Sequence, residues 1–392
     1  MARLWRTRIA AQVGLPVGVL LVTTMLTGCL PTPVIADGSP GCSTAQAAQS
    51  QLSGVQTALV SVNGSPFDVA TAGDLSFVSL GSSIGVFSDT SFAPSLVRTA
   101  ELPESVAGEA ITPDGRFLLA ATNSGALVLN LWALVLGLSN PVVGSLSAPG
   151  GGGGIEATVS PDGHFAFVSL ESTSDIAVFN LQAALTNGFS ASDFVGTIPL
   201  GEAPVGMALA PDGQHLYATS ETAGPAASQG SLSVIDVALA ETFPQVSVRS
   251  AVTAGCGAVR VVPSNDGSVV WVTARGSDQL LGFSAAKLLA DPSSALVAQV
   301  EVGEAPVGVA LVDSGAFAVV ANSNRFSVPG ATASLSVVDT AAALAGNPAL
   351  KGQLVSGAFP RQLALEPNGQ TLLVTNFDSG QLEAVNVSQI PR

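Results

Sequence analysis

Arginines and carboxylates at matched places in a repeating pattern offer the most chemistry in this sequence. Two histidines are present, His164 and His215, each just after a glycine-bearing turn. That gives little support to a histidine-based triad or a zinc site. Gly81-Ser82-Ser83-Ile84-Gly85 fits the G-x-S-x-G pattern, but it lies between strand-like segments, with no strand-to-helix elbow and no nearby histidine. The glycine run Gly150–Gly154 lacks the lysine of a phosphate-binding loop. What remains is Asp68, Glu156, Arg260, Arg275, Asn322, Arg325, Arg361 and Asn376. Arginines grouped in one place hold a carboxylate through forked donors. Carboxylates beside them can activate water while the guanidiniums steady an oxyanion. The oxygens of Asp68 and Glu156 with Asn322 or Asn376 would also suit calcium, but four arginines oppose a cation. Neither a metal nor a cofactor is expected.

These residues span some three hundred positions, so a repeat must gather them. A tight turn recurs at Asp114-Gly115, Asp162-Gly163, Asp212-Gly213, Asp266-Gly267, Ser314-Gly315 and Asn368-Gly369, with a degenerate copy at Gly73-Asp74. The spacing is about 40 to 54 residues. Asp-Gly and Asn-Gly supply the positive φ of a hairpin turn. A strand precedes each turn, as in Val205–Ala210, and a second follows, as in Val269–Thr273. A third comes next, as in Leu335–Asp339, then a short Ala/Leu-rich helical connection such as Thr340–Leu344, then a fourth strand such as Leu296–Val302. Four short strands per unit make a propeller blade. The predicted fold is therefore all-β, a seven-bladed β-propeller with four-stranded blades. Blade seven reaches only its third strand before Arg392, while Val55–Val62 precedes blade one without a blade of its own. The N-terminal strand is expected to complete the last blade, which leaves no free seam.

Six positions before each aligned turn residue, the sequence reads Asp68, Gly108, Glu156, Gly206, Arg260, Gly308 and Gln362. The three glycines suit close packing at the axis. The four polar residues need each other, water or a ligand once buried. Second-strand exits add Arg275, Asn322, Arg325 and Asn376, and Arg361 joins them at the predicted rim. The plainer alternative is that the arginines pair with Asp68 and Glu156 and brace neighbouring blades. Two longer loops, Thr222–Gly230 and Phe326–Ala333, are placed over the same face or are simple surface insertions.

The units resemble the YVTN-type β-propeller repeat, similar also to lactonase-like seven-bladed propellers. Glu202–Gly213 and Glu304–Leu311 carry the likeness, with Leu373-Val374-Thr375-Asn376 and Trp271-Val272-Thr273-Ala274 as looser copies of the namesake strand. Blades one to three depart further. The resemblance implies the fold; for function it implies binding and surface roles, with enzymes among the relatives.

The first residues carry Arg3, Arg6 and Arg8, then an uncharged apolar run from Val13 to Leu26, then Leu26-Thr27-Gly28-Cys29. This reads as a lipoprotein export signal over residues 1–28, with lipid on Cys29. Residues 29–54 read as a flexible tether rich in Pro, Gly and Ser, and 55–392 as the propeller. Removing the signal leaves ten basic residues against 28 acidic, a net charge near −18. Such a surface repels phosphate backbones, so nucleic acid is not an expected partner. Cys42 and Cys256 are left to pair in an oxidising compartment, or to remain free thiols. The expected protein is exported, monomeric and anchored to a bacterial membrane. Its expected role is a binding scaffold whose rim face takes a protein, a glycan or a small anionic ligand. The rivals are a lactonase-like hydrolase and a purely structural surface protein.

Overall fold

A computed structural model describes residues 31–42, 50–223, 228–327 and 331–392. The segment read in the sequence as an export signal and the expected lipidation site Cys29 lie outside the described residues, as do parts of both long loops. Strands of mostly Val, Leu, Ala, Phe and Ser form seven four-stranded antiparallel sheets, the seven blades. Each turn between the first and second strands is closed locally. The carboxylates of Asp114, Asp162, Asp212 and Asp266 accept the backbone N–H two residues on, and the glycines that follow have φ between +68° and +75°. The third strand ends in a helix-capping side chain. Asn130, Asn180, Asp236, Ser284 and Asp339 each receive a backbone N–H at the start of a short helix. The helix Thr340–Leu344 falls where the sequence places it. Turns and helices share one face, because each helix start donates to the turn beside it, as Val237 N–H does to Gln214. That face is termed the turn face here, and the opposite one the cavity face.

The core lies between blades. Trp271 and Leu280 of blade five pack with Ala318, Val320 and Val338 of blade six. The ring closes as the repeat count requires. Thr57–Ser61 pairs antiparallel with Gln381–Val385 as the outermost strand of blade seven.

Threonines on the second strands tie neighbouring blades together at the axis. The Thr273 hydroxyl accepts the Arg260 N–H within its own blade at 3.0 Å and donates to Val307 O in the next at 2.7 Å. Thr219 reaches Val259 O in the same way, and Thr375 reaches Phe67 O across the closing seam. The approach is close. A Cβ on Gly108, Gly206 or Gly308 would lie 2.5, 2.2 or 2.4 Å from a carbonyl oxygen of the following blade.

The segment that composition marks as a tether is seated against the ring over residues 31–42. Val34 adds a parallel bridge to Val252 on the outer strand of blade four. Asp37 N–H donates to Ser293 O of blade five, and Gln299 donates to Gly38 O. Cys42 and Cys256 form a disulfide at the cavity-face end of that strand. Farther on, Gln51 bridges Gln353 on blade six. Pairing with exposed strand edges supplies the backbone partners that a free tether would take from water.

Thr273→Val keeps the shape but leaves the Arg260 N–H and Val307 O without this buried partner. The expected loss is roughly 1–3 kcal/mol of unfolding free energy. Urea denaturation of the variant against wild type measures it.

Candidate functional site

The innermost strands run in the same register, so in six of the seven blades one side chain points at the channel mouth. The residue just before the column identified in the sequence does this: Phe67, Ile155, Val205, Val259, Val307 and Arg361 line a cavity of ≈ 240 Å³ on the cavity face. The floor is apolar apart from Arg361. The second-strand exits add Glu171, Glu221, Arg275 and Arg325 at its edge, and Arg260 rises from below.

Arg361 sits in an aromatic box. Its guanidinium carbon is 3.6 Å from the Phe67 ring centroid and 5.8 Å from those of Phe359 and Phe377. Phe377 meets both other rings edge-on. Phe359 is held at φ +55°, just before Pro360, in the place that Ala203 and Ala305 occupy in other blades at φ +53° and +51°. A left-handed conformation costs an aromatic residue about 1–3 kcal/mol, and here it aims the ring at the cation. Burial and the neighbouring Arg260 charge push the Arg361 pKa down to about 9, so it remains a cation at neutral pH. Its Nε has no hydrogen-bond partner among the described residues.

Below this ring lies the charged layer. Arg260 is a crossbar. Its Nη2 stands 3.0 Å from Glu156 Oε2 of blade three. Its Nε donates to Gln362 Oε1 of blade seven at 3.0 Å, and its Nη1 donates to Val205 O of blade four. Desolvation outweighs the Arg260 attraction at Glu156, whose carboxyl is pushed up to about 8. Asp68 is buried and accepts the Val69 and Glu109 N–H groups, each at 2.7 Å. Burial raises its pKa, and those two bonds with the Arg260 and Arg361 charges offset part of the rise.

At the edge, Arg275 pairs with Glu221 at 2.7 Å and stands 6.0 Å from the Phe326 ring. Arg325 is exposed and makes no ion pair among the described residues. The structure thus brings together Asp68, Glu156, Arg260, Arg275, Arg325 and Arg361. It does not bring Asn322 or Asn376 to the cavity. Asn322 is fully buried in blade six, accepting the Gly303 N–H and donating to Ser334 and Ser336. Asn376 donates to Glu383 and accepts from Ser356 within blade seven. Each stitches the chain entering a blade to that blade's own strands, away from the cavity. The oxygen set considered for calcium is therefore not assembled.

Sequence reasoning missed the three phenylalanines and Glu109. Glu109 lies one residue past the column, between blades one and two. It is 7 % exposed, and neither carboxyl oxygen finds a hydrogen-bond partner among the described residues. Burial, then the Asp68 charge, pushes its pKa well above the usual range. A lone acid in a core position of an otherwise apolar strand, Val106–Ile111, was the available signal. Larger clefts open on the turn face, one of ≈ 670 Å³ beside Thr112, His164 and Thr186. They are lined by the turn and helix residues of neighbouring blades, so convergence of charge rather than size marks the site.

Residues 156–329 match the family model "Lactonase, 7-bladed beta-propeller". The chain is a seven-bladed β-propeller with a lactonase-like stretch. No curated protein matches it in sequence. Among solved structures, it is similar to Kuenenia stuttgartiensis hydrazine synthase, at TM-score 0.64 and 15% identity over 83% of this chain and 96% of that one. It is also similar to a chain of a mitotic checkpoint complex, at TM-score 0.65 and 13% identity over 84% and 93%. At these identities the likeness is one of fold.

The raised Glu109 pKa carries a sign. The folded protein holds this proton to higher pH than the unfolded chain, so stability falls as pH rises above about 4.5, the ordinary glutamate value. Glu109→Gln removes that loss. Melting curves from pH 4 to 8 should coincide for the two proteins at the acid end, with the variant melting higher at the alkaline end.

Proposed function

We propose that the protein is a lipid-anchored, extracytoplasmic binding propeller that captures a small carboxylate in its cavity-face pocket. One observation carries the reading: Arg361 is fixed on three aromatic rings with an unsatisfied Nε, beside an Arg325 without an acidic partner among the described residues. Two guanidiniums on an apolar floor match an anion with a short apolar body. The Leu26–Cys29 sequence and the Cys42–Cys256 disulfide support export, lipidation and an oxidising compartment. The net charge disfavours nucleic acid, and a monomer is enough to form the pocket.

A lactonase-type hydrolase is the second reading. The family match over residues 156–329 favours it, as does a Glu156 that keeps its proton near neutral pH beside Arg260. Such a carboxyl is suited to donate a proton to a leaving oxygen while a guanidinium steadies the charge.

Calorimetric titration with small mono- and dicarboxylates separates the two. Binding should weaken about tenfold in Arg325→Ala, equivalent to about 1.4 kcal/mol, with an unchanged melting temperature because that side chain is exposed. Absence of binding by every acid, together with lactone turnover that vanishes in Glu156→Gln, would replace the binding reading with the hydrolase.

A further inference from the structure

We propose that the turn face lies flat on the surface of a zwitterionic phospholipid bilayer, so that the arginine cavity opens away from the membrane. The inference rests on the lipid-anchored reading above and adds an orientation and a second contact to it.

The direction of the N-terminal segment is the first observation. Val34 pairs parallel to Val252, within the outer strand Val248–Cys256 of blade four. That strand runs from the helix end of its blade to the cavity face, where Cys256 is bonded to Cys42. Residues before Val34 are therefore carried toward the turn face. Two residues of chain span at most about 7 Å, so acyl chains on Cys29 would begin close to Pro31, at that face.

The second observation is independent. The connections between third and fourth strands expose large apolar side chains on the same face. Among them are Trp132, Leu136 and Leu138 in blade two, Phe243 in blade four, Leu289 in blade five and Leu344 in blade six. Trp132 is 66 % and Phe243 64 % exposed. Aromatic and leucine side chains projecting from the rim of a disc suit the boundary between headgroups and acyl chains. Nearer the axis the same face presents the turn carboxylates Asp114, Asp162, Asp212 and Asp266. These repel an anionic surface, which is why the partner is a zwitterionic one.

After the export segment the chain holds two tryptophans, Trp132 on this face and Trp271, 1 % exposed in the core. The full lipidated protein, reconstituted on phosphatidylcholine vesicles with brominated acyl chains, should lose the Trp132 share of its emission and keep that of Trp271. Trp132→Phe should abolish the quenching, and Phe243→Trp in that background should restore it from blade four. Protein that floats with the vesicles but is quenched at neither position overturns the docked face while leaving the anchor intact. Quenching at only one position means a disc standing on edge and also overturns it. A Trp132 shielded from aqueous iodide yet untouched by bromine assigns the face to a second copy of the chain and overturns the docked face. Failure to float overturns the anchor, and the docked face with it.

Discussion

Seven strands must meet around one axis, and the space between neighbours there is set by the backbone. At alternate blades the gap closes completely. Gly108, Gly206 and Gly308 leave no room for even a methyl group against the next blade's carbonyl. The blades between them carry Asp68, Glu156, Arg260 and Gln362 at the same position, and the missing side chains make room for the large ones. Inter-blade threonines then fix the spacing. A charged layer at the heart of the ring is thus a product of how the ring closes. Arg260 and Asp68 are held there by several partners each, and removing one partner would strand the other buried groups. Arg260 alone joins blades three, four, five and seven.

The arrangement divides the arginines by use. Arg260 is consumed by the scaffold, much as the bracing alternative holds. Arg275 is half committed, to Glu221. Arg361 is positioned by rings rather than by a counter-ion, and a cation–π contact leaves the edge of a guanidinium free to donate. Charge that folding has not neutralised is what a ligand can use, and among the described residues it gathers at Arg325 and Arg361, on the blade six to blade seven side of the mouth.

The fold was legible because propeller repeats advertise themselves through turns. Asp-Gly pairs, the capping residues and the orphan strand at Val55–Val62 each have one structural explanation, and these agree with one another. The site was legible only in part. The column from Asp68 to Gln362 marks the buried layer, whereas the residue before it in each blade lines the mouth. Successive residues of a strand face opposite ways, so a displacement of one residue exchanges a wall for a floor. Arg361 was picked out as an arginine, but its cage was not, because Phe67, Phe359 and Phe377 come from opposite ends of the sequence. Asn322 and Asn376 misled for a local reason. A polar residue where a strand leaves the sheet serves equally well to fasten the incoming chain. Glu109 gave a visible signal as an acid in an apolar strand, yet nothing in sequence says whether such a residue finds a partner.

Pairing Thr57–Ser61 with Gln381–Val385 sets an order of events. The first strand made is the last one used. Blade seven has three strands of its own and an open edge until the opposite end of the chain arrives, and the Cys42–Cys256 bond likewise waits for blade four. A chain still on the ribosome therefore holds unlatched blades with no seam to close. The ring can close only once both ends of the propeller have been made, and contacts this distant in sequence make closure slow relative to the local hairpins.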